Sequence, residues 1–260
     1  MKLAPLYQVK LIEANRAHYY QIGDDETWYP GSTTVLKVLD KPALIPWAAK
    51  CVSDNIKEAL FLRSGKTGVI NIEKEDVETI CTEGKNIYKK KSSDAADIGT
   101  RVHRAIDAII RGETPVLADD IKDGVQGFLD WKASHSLKIE LGDTKIASKL
   151  FGYGGSLDMV AFDGNEAIIF DFKTTKKRKD RDHGIYDEAA YQLASYRQAF
   201  KETYGIPVKA VYGLWLNKEK PEFKAVKIAN PDICFEGFLA CLKMTQIAKL
   251  EKFEDDMVLV

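Results

Sequence analysis

The chain contains no run of eighteen apolar residues, so a conventional membrane-spanning helix is excluded. The opening residues, MKLAPLYQVKLIEANRA, lack the apolar stretch of a signal peptide, and Glu13 argues against a transit peptide. The expectation is a cytoplasmic protein with no membrane partner. Excess positive charge is also missing: 38 Lys and Arg face 39 Asp and Glu, for a net charge of −1. A protein that coats nucleic acid nonspecifically is far more basic, so any attraction to a polyanion must come from local clusters. Cysteine is scarce, at positions 51, 81, 234 and 241 with no CxxC pair, and four ordinary buried thiols are expected. Internal repeats and low-complexity tracts are absent. What remains is 260 residues, 45% hydrophobic and 30% charged, enough for one large α/β domain or a core with an appended lobe.

Residues 7–22 read as a hairpin of two short strands, followed by a turn at Tyr29-Pro30-Gly31. Ser32 or Thr33 is a candidate cap for a helix through Val35, Leu36 and Val38, and a second helix starts in PALIPWAAKC. Residues 50–92 are polar, helical in pattern and broken at Gly65 and Gly68. These segments predict an N-terminal, mostly helical lobe over 1–93. From about 94 the periodicity sharpens. Ile98, Val102, Ala105, Ile106 and Ile109 mark one face of a helix that stops near Gly112. A second helix covers roughly 119–135, and three strand-like runs follow: TKIASKLF, YGGSLDMVAF and EAIIFDFKT. A helix at about 186–203, the strands VKAVYGLWLN and FKAVKI, and a last helix at about 231–252 complete a core over 94–260. That order predicts an α/β fold with a central mixed β-sheet flanked by helices.

The chemistry concentrates around one hairpin. Asp163-Gly164-Asn165-Glu166 separates two apolar runs, a strong turn signal. With Gly164-Asn165 as the loop, Asp163 pairs with Glu166 and Asp158 faces Asp171. With Asp163-Gly164 as the loop, Asp158 faces Ile169 and lies diagonal to Asp171. Either register puts both aspartates on one face, together with Lys173. Facing carboxylates repel, and burying them uncompensated costs several kcal/mol. The apolar run before Asp171 implies a buried strand, so something must compensate. A hard divalent cation such as Mg²⁺ or Mn²⁺ does so through oxygen ligands, and the Lys173 ammonium can orient a water and stabilise phosphorane charge. The structural alternative is a surface Asp171–Lys173 pair on an edge strand.

GxxD at Gly155–Asp158, then Asp171-Phe172-Lys173-Thr174-Thr175, resembles the core motif of the PD-(D/E)xK nuclease superfamily. Gly99-Thr100-Arg101-Val102-His103 matches the GxxxH motif of its RecB-like exonuclease branch, and Gln192-Leu193-Ala194-Ser195-Tyr196 matches QxxxY. The likeness covers roughly 94–228. The segment YPGSTTVLKVLDKPALIPWAAK is similar to phage-type and mitochondrial genome-maintenance exonucleases. Where many members carry a Glu in a pattern like ExxVxS, this chain has Asp143-Thr144-Lys145-Ile146-Ala147-Ser148, with Glu140 three residues earlier. Related iron–sulfur nucleases use one early and three late cysteines, a pattern that Cys234 and Cys241 do not complete.

The resemblance implies a restriction-endonuclease-like core and a DNA exonuclease using one or two Mg²⁺ or Mn²⁺ ions, acting on single-stranded ends in recombination, repair or phage DNA processing. It implies His103, Asp158, Asp171 and the Phe172 carbonyl as metal ligands, and no iron–sulfur cluster. Lys173 would assist the attacking water, Gln192 would position the lysine or the DNA backbone, and Tyr196 would stand near the phosphate. Outside these motifs, KTTKKRKDR offers Lys176, Lys177, Arg178, Lys179 and Arg181 as phosphate contacts, against a merely solvated run. Tyr19, Tyr20, Tyr29 and Trp47 are candidates for stacking bases or for simple packing. The rival functions are an endonuclease of the same fold and a catalytically inactive nucleic-acid-binding module.

Overall fold

The computed structural model describes residues 3–14, 17–64, 68–70, 72–135, 138–218, 220, 222–248 and 250, with backbone alone at 140 and 141. Its contacts divide the chain into two units, Met1–Leu39 with Val102–Val260, and Asp40–Arg101. The smaller unit holds α2 (Leu44–Ser64) and the larger part of α3 (Lys74–Ile110), a helix of 37 residues that continues into the larger unit.

The larger unit is built on a mixed five-stranded sheet in the order β4 (Lys138–Ser148), β5 (Tyr153–Asp163), β6 (Glu166–Thr175), β7 (Val208–Asn217), β8 (Phe223–Lys227). Only β6 and β7 run parallel, joined by α5 (Asp187–Tyr204); the other neighbours are antiparallel. The β5–β6 turn adopts the first of the two expected registers, with Asp163 opposite Glu166 and Gly164 at φ +61°. Asn165 completes a two-residue loop, and Gly accepts that backbone without a Cβ clash. The ladder runs up to Met159 opposite Phe170, one step short of the two aspartates. β6 is the middle strand of the five, which removes the edge-strand alternative for Asp171 and Lys173.

Helices cover both sides of this sheet. Leu193, Tyr196 and Phe200 of α5 and Phe238 and Leu242 of α6 (Pro231–Ile247) share a buried cluster with Leu157, Ile169 and Val211. A second, aromatic layer comes from α4 (Asp119–Ser134). Its Phe128 is fully buried and meets Phe172 edge-on at 5.4 Å, while Trp131 meets Phe170 at 5.6 Å. Truncating a buried Phe of this kind typically costs about 3–5 kcal/mol.

Several local expectations are corrected. The N-terminal segment is a three-stranded sheet, β1 (Val9–Ala14), β2 (Ala17–Ile22) and β3 (Asp25–Pro30), because the chain already reverses at Gly23 with φ +62°. Pro30 ends an edge strand, where its missing N–H breaks no ladder. Neither Ser32 nor Thr33 caps α1 (Ser32–Val35); Gly31 stands at that position, and the Ser32 hydroxyl donates to the Gly154 carbonyl at 3.0 Å instead. α1 continues as one tight turn over Leu36–Val38. β4 begins at Lys138, six residues before the TKIASKLF run, and a bulge between Ile139 and Leu141 hides its alternation. Of the four cysteines, Cys51 and Cys241 are buried, Cys234 is half-buried and Cys81 is exposed.

Candidate active site

Four elements of the larger unit carry the candidate residues: β5 brings Asp158, β6 brings Asp171, Phe172 and Lys173, α3 brings His103, and α5 brings Gln192 and Tyr196. Paired glycines make room for this convergence. A Cβ on Gly155 would stand 2.5 Å from the Tyr196 ring, and one on Gly154 would stand 2.3 Å from the ring of Tyr20. Both distances are impossible for real atoms, so the glycine pair, the second of which opens the GxxD motif, admits two tyrosine rings against β5. Tyr20 is thereby committed to packing rather than to stacking bases.

A polar chain runs through the site. Tyr196 accepts from Gln192 Nε2 at 2.6 Å, and Gln192 Oε1 accepts from Lys173 Nζ at 2.9 Å. That amide orientation follows from chemistry, since an ammonium only donates. Lys173 also ion-pairs with Asp171, whose side chain is 5% exposed and whose Oδ2 has no hydrogen-bond partner beside that ion pair. Asp158 accepts the backbone N–H of Phe172 on Oδ2 at 2.7 Å, and His103 Nδ1 lies 3.5 Å from its Oδ1.

The charges push the two aspartates apart. Burial drives the Asp171 carboxyl up to about 6; Lys173 opposes this and the Asp158 charge adds to it. For Asp158, burial is outweighed by the His103 hydrogen bond and charge, by Lys173 and by the Phe172 N–H, which hold it below the usual carboxylate range. Burial works against a charged His103, but Asp158 and Asp171 raise its pKa above the ordinary histidine value. Burial likewise opposes the Lys173 charge, and Asp171 overcomes it. Two carboxylates with divergent affinities for a proton, beside a lysine and a histidine, form the kind of constellation that concentrates at functional sites.

Asp158, Phe172 and His103 open onto a cleft of about 160 Å³, lined also by Arg104, Asp107, Ile110 and Asp143. Asp143 therefore lines the cleft, and it is the one non-glycine residue at positive φ (+34°) among those described. Its Oδ1 accepts from Lys145 at 2.6 Å and from Ser156 at 2.8 Å. The side chain of Glu140 lies outside the described atoms. Arg104 and Asp107 were not singled out from the sequence. The signal was present, since Asp107 follows His103 by one helical turn and shares its face.

Among the described residues no three His, Cys, Asp or Glu side chains stand close enough to hold a metal ion as placed. The donor set is nonetheless of the right kind for Mg²⁺ or Mn²⁺: two carboxylates, one of them buried beside Lys173, and an imidazole. The basic run is less available than its composition implies. Lys177 pairs with Asp182 at 2.8 Å, Arg178 with Asp180 at 2.7 Å and Arg181 with Asp187 at 2.6 Å. Trp47 is 38% exposed, and Tyr19 lies 6.0 Å from Trp28, which is half-exposed. Among the described residues, no helix is long and apolar enough to cross a membrane.

No family model and no curated protein matches the chain. Among solved structures, it is similar to SSO0001 at 10% identity and TM-score 0.40, over 78% of this chain and 86% of that one. It is also similar to a protein of Eubacterium rectale provisionally named an exonuclease, at 14% identity and TM-score 0.42, over 76% and 81% of the two chains. At that distance the likeness adds nothing to the chemistry of the site.

Proposed function

We propose that the chain is a metal-dependent deoxyribonuclease that hydrolyses phosphodiester bonds, working as an exonuclease on single-stranded ends. The observation that carries this reading is the meeting of Asp158, Asp171, Lys173 and His103 from three elements, with Lys173 held by Gln192. The sequence likeness to the RecB-like branch supplies the exonuclease and DNA parts of the proposal.

The candidate ligands are Asp158, Asp171, His103 and the Phe172 carbonyl. Mg²⁺ or Mn²⁺ bound there would neutralise phosphate charge and acidify a water. The chain's own residues do the rest. Asp158 is kept ionised by His103 and the Phe172 N–H, and so remains a ligand at neutral pH. Gln192 fixes the Lys173 ammonium, and Tyr196 fixes Gln192, so the lysine can orient the attacking water and meet developing negative charge.

The test is digestion of linear single-stranded DNA, linear duplex labelled at either end, and closed circular single strands, with Mg²⁺, Mn²⁺ or EDTA. Metal-dependent loss of linear single strands, with circles intact, is the expected result. Cleaved circles would make the protein an endonuclease. Binding without any cleavage would make it a non-catalytic module. Asp158→Ala, Asp171→Ala and Lys173→Ala should each reduce cleavage by roughly 10²-fold or more.

A further inference from the structure

The cleft contains more charge than the proposed chemistry uses, and nearly all of it is paired. Asp158 faces His103 at 3.5 Å, Asp143 accepts from Lys145 at 2.6 Å, and Asp107 is ion-paired with Arg111. Arg104 differs. It lines the same cleft, its side chain is exposed, and among the described residues it makes no ion pair. Among the described residues lining the cleft, Arg104 is the cation left free to receive an anion.

The size of the cleft says which anion. The cleft is small, at about 160 Å³. Pockets that enclose whole drug-sized molecules run to about 300–1,000 Å³. A phosphate group fits a cleft of that size. Arginine is suited to that ligand, because its planar fork donates to two phosphate oxygens at once. The basic run after β6, by contrast, spends Lys177, Arg178 and Arg181 on Asp182, Asp180 and Asp187.

We propose that Arg104 grips a backbone phosphate of the nucleic-acid strand at the mouth of the cleft, holding the adjoining phosphodiester against Asp158 and Asp171. This rests on the nuclease reading above and adds a substrate-binding residue that belongs to none of the four sequence motifs. His103 and Arg104 are consecutive on α3, so one helical turn would serve the site twice, through its imidazole and through its grip on substrate.

The experiment uses the full chain carrying Asp171→Asn, to stop cleavage, and a short fluorescent single-stranded oligonucleotide followed by anisotropy over a salt series. Adding Arg104→Ala should weaken binding about tenfold and reduce the slope of log affinity against log salt by about 0.7, the loss of one phosphate contact. Arg104→Lys should restore the slope, because the charge returns, but only part of the affinity, because the fork does not. Unfolding curves of all variants should coincide, since the side chain is exposed. Unchanged affinity and slope in Arg104→Ala would overturn the assignment, as would a lysine variant no better than alanine. If the wild type cleaves DNA and only the Arg104 result fails, the nuclease reading stands. If the wild type neither binds nor cleaves, both fall together.

Discussion

Asp171→Asn offers a quantitative check on the site that needs no substrate. The carboxyl is buried in the middle strand and titrates at about 6 against an ordinary value of 3.8. Between those values the folded protein keeps a proton that the unfolded chain has released. Stability therefore falls as pH rises from about 4 to about 6 and stays reduced above. At about 1.36 kcal/mol per pH unit, the shift corresponds to roughly 3 kcal/mol of destabilisation at neutral pH. The amide removes that charge but leaves Lys173, 24% exposed, without its counterion, which returns part of the gain. The net expectation in EDTA at pH 7.5 is a variant about 1–3 kcal/mol more stable than the wild type. At about 2–4 °C per kcal/mol for a chain of this size, that is several degrees of melting temperature. The assay is urea unfolding from pH 4 to 8, comparing the two proteins at each pH. His103 contributes a fall of the same sign as pH rises past its own raised pKa, smaller in the variant because the Asp171 charge is one of those that raise it. A variant less stable at every pH, with a pH-independent difference, would mean that the Lys173 ion pair outweighs burial and that the electrostatic account is wrong.

Three further outcomes are expected. His103→Ala should weaken Mn²⁺ binding measured by calorimetry while barely changing unfolding, because the helix keeps the buried Val102, Ala105 and Ile106; unchanged binding would return His103 to a structural role. Gly155→Ala should cost about 1–3 kcal/mol in chemical denaturation, since its Cβ would press on the Tyr196 ring, and should lower activity by disturbing the hold on Lys173. Replacing Lys176, Lys177, Arg178 and Lys179 by Ala should flatten the salt dependence of DNA binding by clearly less than the ~2.8 expected of four unpaired contacts. Lys177 and Arg178 already have acidic partners. A full-sized change would show that DNA displaces those carboxylates.

The sequence by itself determined the α/β architecture and singled out the side chains that the fold brings together around Asp158 and Asp171. Periods of two and of 3.6 are local, and they placed β5, β6, α4 and α5 within a few residues. The Asp163–Glu166 turn restricted the register to two choices that differ by two residues in the pairing and so keep the same face. Where local signals were weak, the reading failed. β3 carries alternation spoilt by acidic residues, the bulge in β4 masks its start, and α3 is too polar at its beginning to reveal 37 continuous residues. Only the tertiary structure decided between the two registers and put Asp143, Arg104 and Asp107 around one cleft. It also showed that glycines 154 and 155 exist to admit two tyrosine rings. It also showed acidic partners for Lys177, Arg178 and Arg181 of the basic run, and no ion pair for Arg104 among the described residues. Charge availability depends on which side chains meet across the fold, and those meetings join residues far apart in the chain.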